Sequence, residues 1–516
     1  MRRASPRRPA ASKQTLATAL LSPACYDHHV GNVRLAETHI SWVFLTGRYA
    51  YKVKKPVKLP FLDFRTLPQR LHFCREELRL NRRLAPELYL GVVPIGGPRS
   101  TPRVGKKPAF EYAVKMRQFA PDARLDQKLA AGAVPRAAIT EFATRLAKFH
   151  TGLPALDTDP AGQAAQAAAR ANIDALAQYV RGRQRRELDA LRVWTERECA
   201  NLASVFARRT TSGAERECHG DLHLENLLWR HGSIVAYDAL EFDPALREID
   251  VMSEVSFLAM DLIAHGRPDL AYDFLNRYFE IGGDYAGIEV LRFYLVHRAL
   301  VRAKVGAIKT AQVGRGARAN PYIETAHELC RPATPLLLIT HGLSGSGKTT
   351  ITDELIGRLR ALRVRSDFER KRLHGLSVAA RTDSGVGEGV YAANATRLTY
   401  ARLAEIADRA LRHGFNAIVD ATFLRRAERL GLRQVAAFNG ARFAILDCAA
   451  PAKELRRRIT ARGKAGRDAS EATLAVLEQQ LAAQEPLDRA EQRSAIRVDT
   501  RGAIRHSALA AALLRR

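Results

Sequence analysis

The sequence has 516 residues, which is more than one hydrophobic core usually serves, and its length predicts two domains. No apolar run reaches the ~18 residues of a membrane span, and the six cysteines lack C-x-x-C spacing, so a membrane helix, a zinc site and a disulfide framework are not indicated. The 82 Lys and Arg against 54 Asp and Glu give a formal charge of +28, which favours phosphate-bearing partners.

The first elements along the chain predict a small sheet with one helix. Residues 1–25 are basic and contain proline, which predicts a flexible tail. Two short strands at 40–45 and 49–54 surround a Thr-Gly-Arg turn, as in a hairpin. A segment with helical periodicity follows at 68–84. Strand patterns at 89–95 and again near residue 110 complete the unit.

The middle of the chain is mainly helical and ends at a domain boundary. Helical spacing runs from about 124 to 208 and resumes from 249 to 307, after a strand-loop-strand unit at 217–237. Breaker residues at 314–321 and 331–335 place the boundary just before the next apolar strand. Beyond it, strands and helices alternate, which predicts a parallel α/β sheet.

The loop between the two strands of that middle unit contains a set of residues suited to phosphoryl transfer. Asp221 and Asn226 stand five residues apart in Cys-His-Gly-Asp-Leu-His-Leu-Glu-Asn, and Asp238 ends the next apolar strand. Transfer from ATP needs one carboxylate that orients or deprotonates the acceptor hydroxyl, and an amide oxygen and a second carboxylate that hold Mg²⁺ on the phosphates. We therefore predict a catalytic role for Asp221 and metal ligation by Asn226 and Asp238.

This loop resembles the catalytic loop of the aminoglycoside phosphotransferase and choline kinase group, within the protein-kinase-like fold, and residues 26–330 are similar to that family in layout. The resemblance implies that Lys52 is the strand lysine that pairs the α- and β-phosphates and that Glu77 is its partner on the helix. Lys54 and Glu76 are close rivals, because strand alternation places both lysines on one face.

Two departures distinguish this chain from protein kinases. Only Gly47 stands where a G-x-G-x-x-G would precede the strand lysine, and Gly220 replaces the Arg of H-R-D. Both departures favour a small-molecule acceptor. The resemblance also implies that Asp250 braces the loop, and we interpret His219 and His223 as bracing groups.

A second phosphate-binding pattern begins at residue 336. A buried-strand pattern runs directly into G-x-x-x-x-G-K-T at 342–349, with helical spacing behind it. The glycines let backbone N–H groups face the phosphates, Lys348 supplies a charge for the β- and γ-phosphates, and the Thr349 hydroxyl is placed to hold Mg²⁺. The predicted nucleotide-binding set is Gly342, Ser344, Gly345, Ser346, Gly347, Lys348, Thr349 and Thr350, with Lys348 also counted as catalytic.

Acidic residues follow the next two predicted strands. Asp367 comes after the strand at 362–365, where a carboxylate can orient an acceptor hydroxyl in line with the γ-phosphate, and Arg370 can hold the acceptor. Asp420 ends the apolar strand at 417–419 and is suited to the Mg²⁺ shell.

Three arginines late in the chain, Arg458, Arg462 and Arg467, lie where they can close over phosphates as charge develops, and Arg462 is the predicted nucleotide-binding member. This half of the chain resembles the small P-loop kinases of the gluconate kinase, polynucleotide kinase and zeta-toxin kind. Its Asp-x-x-Arg after the second strand is most similar to the polynucleotide kinase-like branch. We assign residues 335–516 to this domain.

Together the two halves resemble a bacterial family of bifunctional aminoglycoside phosphotransferase/ATP-binding proteins over nearly the whole chain. The predicted fold class is α/β, with an α+β two-lobed protein-kinase-like domain at 26–330 and a P-loop α/β parallel-sheet kinase domain at 335–516. We expect a kinase with two Mg²⁺-ATP sites, which takes ATP and Mg²⁺ and phosphorylates hydroxyl groups of small molecules.

Two alternatives remain for the function. The P-loop domain could act as a polynucleotide 5′-hydroxyl kinase on nucleic acid, a partner that the evenly spread basic residues do not favour. The protein could instead be a nucleotide-sensing regulator, although a sensor has no need for Asp221 or Asp367. The scattered cysteines fit a reducing cytoplasm, so we expect a cytoplasmic protein without a membrane partner. No feature of the sequence indicates an oligomeric state.

Overall fold

The computed structural model describes residues 15–59, 62–156, 162–312, 320–377, 380, 393–465 and 473–515. The chain divides into two compact units, the first formed by Met1–Ala133 and Glu217–Glu248 and the second by Val134–Arg216 and Ile249–Arg516. The second unit therefore joins the helical part of the predicted first domain to the P-loop region. Breaker residues 314–319 lie outside the described residues, and the domain limits 26–330 and 335–516 stay a prediction.

The strands, in chain order, are β1 Arg34–Glu37, β2 Ser41–Leu45, β3 Tyr49–Lys54, β4 Lys58–Leu59, β5 Leu62–Asp63, β6 Tyr89–Gly96, β7 Arg103–Val104, β8 Ala109–Arg117, β9 Glu215–Glu217, β10 Leu227–Arg230, β11 Ser233–Ala236, β12 Glu248–Asp250, β13 Leu336–His341, β14 Ala361–Arg365, β15 Asn416–Asp420, β16 Arg442–Ala449 and β17 Ala495–Asp499. The helices are α1 Leu16–Ala19, α2 Leu67–Arg82, α3 Leu125–Ala130, α4 Arg136–Gly152, α5 Gly162–Ala177, α6 Gly182–Asn201, α7 Ala203–Thr211, α8 Val251–Ala264, α9 Pro268–Gly282, α10 Ile288–Gln312, α11 Pro321–Leu329, α12 Lys348–Leu359, α13 Ser366–Leu373, α14 Ala393–Arg412, α15 Arg426–Phe438, α16 Ala452–Ala465, α17 Leu474–Ala483, α18 Arg489–Ser494 and α19 His506–Arg515.

The first unit is built on a six-stranded sheet in the order β1-β2-β3-β8-β6-β7. The pairs are antiparallel, and β2 and β3 form the predicted hairpin. Helix α2 begins at the capping residue Thr66, whose hydroxyl accepts a hydrogen bond from the Gln69 N–H, and it packs against β6 and β8. Strands β10 and β11 form a separate hairpin that leaves the catalytic loop.

Part of the predicted flexible tail is ordered, and there the prediction is corrected. Residues 1–14 lie outside the described residues. Helix α1 and a 3₁₀ turn at Pro23–Cys25 follow, and Leu20 and Cys25 are buried with Phe44. Burial of these apolar side chains offsets the entropy of ordering the segment, which its basic start and proline content did not reveal.

The second unit contains a five-stranded sheet in the order β14-β15-β13-β16-β17, and all of its pairs are parallel. The central strand β13 is buried along its whole length, as expected for an apolar run covered on both faces. The predicted α/β class with a parallel sheet is confirmed. The edge strand β17 was not predicted, because its charged residues and partial exposure conceal a strand pattern.

Helices of the middle of the chain pack in pairs beside this sheet. Helix α4 packs on α9, and α8 packs on α10. Helix α9 also contacts α12 and β14, so the helical layer adjoins the P-loop helix directly. Within the described part of the chain, no helix has both the length and the apolar composition to cross a membrane.

Candidate active sites

The catalytic loop of the first unit holds the Asp221 carboxylate through two donors. The Asn226 side-chain amide donates to Asp221 Oδ2 at 2.8 Å, and His223 Nε2 lies 3.3 Å from the same oxygen. His223 Nδ1 accepts the Glu225 N–H at 3.3 Å, so Nε2 carries the proton and donates. The two predicted residues Asp221 and Asn226 are therefore brought together, and the amide oxygen of Asn226 stays directed away from this bond.

The start of this loop requires glycine. Gly220 has φ +88°, and a Cβ added to it would lie 2.8 Å from the Leu246 carbonyl oxygen. Beside it, His219 Nδ1 accepts the Asp221 N–H at 3.3 Å while Nε2 donates to the Tyr237 carbonyl at 2.9 Å. His219 thus braces the loop, and a side chain at position 220 would displace the Leu246 carbonyl.

The strand lysine contacts Glu77, its expected partner on the helix, and also Asp238. Lys52 Nζ lies 2.9 Å from Glu77 Oε1 and 2.6 Å from Asp238 Oδ1. Burial opposes the charge on Lys52, but the carboxylates of Asp238 and Glu77 outweigh it and raise the pKa of Lys52 well above its ordinary value. The lysine therefore stays cationic beside the predicted metal ligand Asp238.

The rival lysine occupies a different position. Lys54 is fully buried, with Nζ 2.8 Å from Glu77 Oε2 and in contact with Glu241. The rival glutamate, Glu76, pairs instead with Arg79 at 2.8 Å. Both lysines lie on the face expected from strand alternation, and Glu77 bridges them.

The two neighbouring lysines keep the Glu77 carboxyl group ionised. Burial by itself raises the pKa of a carboxyl group. At Glu77 the charges of Lys52 and Lys54 outweigh burial and lower the pKa from 4.5 to about 2. A carboxylate that remains charged in the core keeps both ammonium groups in place.

Asp238 has a strained backbone. Its φ of +62° lies in the left-handed region, which costs a residue other than glycine about 1–3 kcal/mol and is concentrated at functional sites. Its N–H donates to the Tyr89 hydroxyl at 3.1 Å, and the preceding Tyr237 N–H donates to the Asn226 carbonyl at 3.0 Å. The backbone thus connects the two predicted metal ligands, Asn226 and Asp238. Their oxygen atoms are the ligand type that Mg²⁺ prefers.

Asp250, which the resemblance implies braces the catalytic loop, lies in the second unit and contacts residues of that unit. Its carboxylate caps α8 by accepting the Met252 N–H at 2.8 Å, and it forms an ion pair with Arg209 at 2.5 Å. These contacts fix the start of α8.

The phosphate-binding loop of the second unit follows β13, the middle strand. Gly342 has φ +137°, and a Cβ there would lie 2.4 Å from the Cys448 carbonyl oxygen of β16. Lys348 Nζ donates to the carbonyl oxygens of Gly342 and Leu343 at 2.9 and 2.8 Å, so it lies within the concavity of the loop. Ser346 Oγ is buried and has no hydrogen-bond partner among the described residues. These donors fit a phosphate group.

The predicted Mg²⁺ ligands of this unit also meet. Thr349 Oγ1 donates to Asp420 Oδ2 at 2.7 Å, and Thr352 Oγ1 lies 3.4 Å from the same oxygen. The meeting follows from parallel strands, because the carboxyl ends of β13 and β15 lie at the same edge of the sheet. A hydroxyl and a carboxylate fit the oxygen shell of Mg²⁺.

A cavity of about 1100 Å³ opens at this edge. Most of the predicted residues line it: Ser344, Gly345, Gly347, Lys348, Thr349, Thr350, Asp367, Arg370 and Asp420. Gly342 and Ser346, which also belong to the predicted set, are not among the lining residues. The side chain of Arg462 and the whole of Arg467 lie outside the described residues.

Three residues distant in sequence, Gln480, Arg458 and Thr500, support this loop directly or through one another. The Gln480 amide oxygen accepts the Ser344 N–H at 2.9 Å. Arg458, one of the three predicted late arginines, donates to the Gly345 carbonyl at 3.3 Å and to the Thr500 carbonyl at 2.7 Å. No local sequence signal marks Gln480 or Thr500, because neither belongs to a recognisable motif.

Comparison with known proteins finds one family match in each of the two regions that hold the candidate sites. A model of the phosphotransferase enzyme family matches residues 64–288, and a model of the AAA domain matches residues 337–487. The uncharacterized protein Rv2004c of Mycobacterium tuberculosis is 30% identical over 456 residues, which cover 86% of this chain and 89% of that protein. The uncharacterized protein Mb2027c of Mycobacterium bovis has the same identity and coverage.

Solved structures resemble parts of the chain. A glucosamine kinase in complex with glucosamine, ADP and inorganic phosphate is 15% identical with a TM-score of 0.37, and the match covers 61% of this chain and 85% of that one. A sugar kinase from Janibacter is 22% identical with a TM-score of 0.26, and the match covers 36% of this chain and 95% of that one.

The two family matches follow one another in the order expected from the two motif sets, and the mycobacterial relatives match along nearly their whole length. Families of this kind use ATP as the phosphate donor, so the chain is a kinase. The chain therefore belongs to the family of these mycobacterial proteins, and in it a region of the phosphotransferase enzyme family precedes a P-loop kinase-like region.

Proposed function

We propose that the chain has two separate Mg²⁺-ATP sites, one in residues 26–330 and one in residues 335–516, and that each transfers the γ-phosphate to a hydroxyl group of a small molecule. The observation that carries this proposal is that each region has its own cation and its own acid set. Lys52 pairs with Asp238 at 2.6 Å in the first, and Thr349 pairs with Asp420 at 2.7 Å beside Lys348 in the second.

In the first site, Asp221 accepts the proton of the acceptor hydroxyl. The donors His223 and Asn226 hold its carboxylate in one orientation, which keeps the acceptor aligned for attack. Lys52 binds the α- and β-phosphates, and Asn226 and Asp238 would hold Mg²⁺. The ion, when bound, neutralises charge on the transferred phosphoryl group.

In the second site, Lys348 binds the β- and γ-phosphates together with the backbone N–H groups of the loop. Thr349 and Asp420 would hold Mg²⁺, while Asp367 orients the acceptor hydroxyl and Arg370 holds the acceptor. Arg458 supports the loop through the Gly345 carbonyl, and its guanidinium lies where charge develops during transfer.

The test is Mg²⁺-ATP turnover by the intact chain, Asp221→Ala and Lys348→Ala, across sugars, nucleosides, aminoglycosides and 5′-hydroxyl RNA. Each variant is expected to lose turnover with one class of acceptor and to keep turnover with another. Asp189→Ala and Lys309→Ala, at exposed positions on α6 and α10, serve as matched controls.

Two results would contradict the proposal. If both variants kept every acceptor-dependent activity, the assigned residues would not be catalytic. If ATP hydrolysis were slow and independent of every acceptor, with tight nucleotide binding, the protein would be a nucleotide sensor. Turnover with 5′-hydroxyl RNA alone, lost in Lys348→Ala, would replace the small molecule with nucleic acid at the second site.

A further inference from the structure

The order of the parallel strands divides the large cavity into two sides. The phosphate-binding loop follows the central strand β13, so the transferred phosphoryl group lies in the middle. Arg458 and Thr500 line the cavity from beyond β16 and β17. Asp367, Arg370 and Arg425 line it from beyond β14 and β15. Because Asp367 is the proposed acceptor-orienting acid, the acceptor occupies the β14–β15 side.

The cavity has room for two molecules. Its volume of about 1100 Å³ exceeds the ~300–1,000 Å³ typical of a site for one small molecule. A nucleotide on the loop and an acceptor beside Asp367 can therefore be present together, as direct transfer requires.

The acceptor side is rich in guanidinium groups. The basic residues that line it are Arg365, Arg370, Arg397 and Arg425. Its acids are Asp367, Glu428 and Asp420, of which Asp420 already accepts from Thr349. Four guanidinium groups face three carboxylates on this side, whereas a neutral acceptor needs only one carboxylate and one positioning group.

Not all of these arginines are committed to the protein itself. Arg365 lies over the Phe368 ring at 4.4 Å and 3.8 Å from Asp420, so it belongs to the core of the site. Arg397 donates to the amide oxygen of Asn394 at 2.9 Å, which is a neutral acceptor, and its side chain is exposed. Arg425 is likewise exposed and immediately precedes α15.

The neighbouring acid, Glu428, contacts the backbone of Arg425 and, among the described residues, forms no ion pair with its guanidinium. Burial raises the pKa of Glu428, partly opposed by the Arg425 N–H and by the charge of Arg425. Its carboxylate lies 3.4 Å from that N–H. Arg397 and Arg425 therefore present their charge toward a molecule in the cavity, and guanidinium groups bind phosphate or carboxylate through paired N–H donors.

We propose that the acceptor of the second site is a hydroxyl compound that also carries an anionic group such as a phosphate, and that Arg397 and Arg425 bind this group. The inference rests on the proposed kinase function of that site. In the step, the acceptor oxygen attacks the γ-phosphorus and its proton passes to Asp367. The bond between the γ-phosphorus and the bridging oxygen breaks, and ADP leaves with that oxygen.

The first measurement is binding of inorganic phosphate to the full chain saturated with Mg²⁺ and a non-hydrolysable ATP analogue, which fills both γ-phosphate positions. We expect binding that weakens roughly 10- to 100-fold in Arg397→Gln/Arg425→Gln, the effect of losing charge-assisted hydrogen bonds. Arg433→Gln, at an exposed arginine on α15, the helix that Arg425 precedes, is the matched control and should bind as the native chain does. Equal binding by the double variant, or none by the native chain, would overturn the proposal.

The second measurement is turnover with matched pairs of acceptors. A nucleoside is compared with its 3′-monophosphate, a sugar with its 6-phosphate, and a 5′-hydroxyl oligonucleotide is added. We expect the anionic member to have a KM at least roughly tenfold lower, and Arg397→Gln/Arg425→Gln to raise that KM with kcat and the KM for ATP kept. Equal kcat/KM within each pair, unchanged in the double variant, would overturn it.

These results distinguish the possible sources of the anion. They also distinguish failure of the anion site from failure of the proposed kinase function. Preference for the oligonucleotide over the nucleoside 3′-monophosphate assigns the phosphate to nucleic acid, and the reverse preference assigns it to a small metabolite. Phosphate binding that depends on Arg397 and Arg425, without turnover of any acceptor, removes the kinase function of this site and keeps the anion site.

Discussion

Arg363 on β14 donates to the Glu280 carboxylate on α9 across 2.8 Å, and both side chains are buried. Arg363 also donates to Thr352 Oγ1 at 3.0 Å, and that hydroxyl lies 3.4 Å from Asp420 Oδ2. The helical layer of the second unit is therefore connected, through Arg363 and Thr352, to the proposed metal ligand Asp420.

Replacing Arg363 tests this connection. Arg363→Met leaves the buried Glu280 carboxylate without its closer cation, the other being Arg277 at 3.6 Å, so we expect the second unit to lose about 3 kcal/mol of unfolding free energy. We also expect half-maximal turnover at the second site to need more Mg²⁺, because Asp420 loses the neighbour that orients Thr352. Chemical denaturation and a Mg²⁺ titration measure the two effects.

Arg358→Met, at an exposed pair with Glu354 on α12, should change neither by much. Similar behaviour of both variants would show that the connection is unimportant.

The two strand lysines should differ in what their loss changes. Lys52→Met is expected to leave the first unit folded, because Lys54 still neutralises Glu77, and to reduce transfer at the first site about 100-fold or more. Lys54→Met leaves the buried Glu241 without the lysine it contacts, while Glu77 keeps only Lys52 of its two lysines, and this should cost about 3–5 kcal/mol of stability. Denaturation midpoints and kcat with a first-site acceptor separate the two. A catalytic loss confined to a well-folded Lys54→Met would reverse the assignment.

Glycine 220 can be tested against a matched glycine. Gly220→Ala and Gly232→Ala both place alanine at positive φ, +88° and +79°, which costs about 1–2 kcal/mol each. Only at Gly220 would the new Cβ meet backbone, the Leu246 carbonyl at 2.8 Å, while the space at Gly232 is open. We expect Gly220→Ala to lower first-site kcat at least roughly tenfold by displacing Asp221, and Gly232→Ala to keep it. Equal kcat in the two variants would contradict this.

The depressed pKa of Glu77 predicts an acid-dependent loss of stability. The folded value of about 2 lies below the ordinary 4.5, so the folded state binds this proton less readily than the unfolded state does. The stabilisation, of order 3 kcal/mol, is complete above about pH 4.5 and disappears as the pH falls toward 2. Denaturation of the native chain and of Glu77→Gln between pH 5 and pH 2 measures it. The variant should lack this part of the slope, and an unchanged slope would exclude Glu77 as its source.

The Thr349 hydroxyl is expected to act mainly through Mg²⁺. Thr349→Val keeps the shape of the side chain but removes the donor to Asp420, so second-site turnover should require about tenfold more Mg²⁺ at a similar saturating kcat. The control is Thr460→Val, because the Thr460 hydroxyl donates to a helix carbonyl, that of Arg456, on the exposed face of α16. A drop in kcat that no Mg²⁺ concentration restores would indicate a different role for Thr349.

The parts of both sites that are local in sequence were predictable from sequence. The loop from Gly342 to Thr349 is one contiguous turn between a strand and a helix, and its spacing alone determines where its N–H groups and hydroxyl lie. Asp221 and Asn226 stand within one short loop, so their side chains meet whatever surrounds them. The parallel α/β alternation followed from the same local periodicity.

The choice between Lys52 and Lys54 depended on the tertiary structure, because strand alternation makes the two equivalent until α2 and Asp238 pack against β3. The same holds for Gln480, which bonds the phosphate-binding loop from more than a hundred residues away, and for Thr500, which bonds the Arg458 that supports this loop. The ion pair between Arg363 and Glu280 joins a strand of the P-loop region to a helix of the middle of the chain. Local periodicity determines which face of an element is buried, but only the packing of elements distant in sequence decides which partner a buried charge meets.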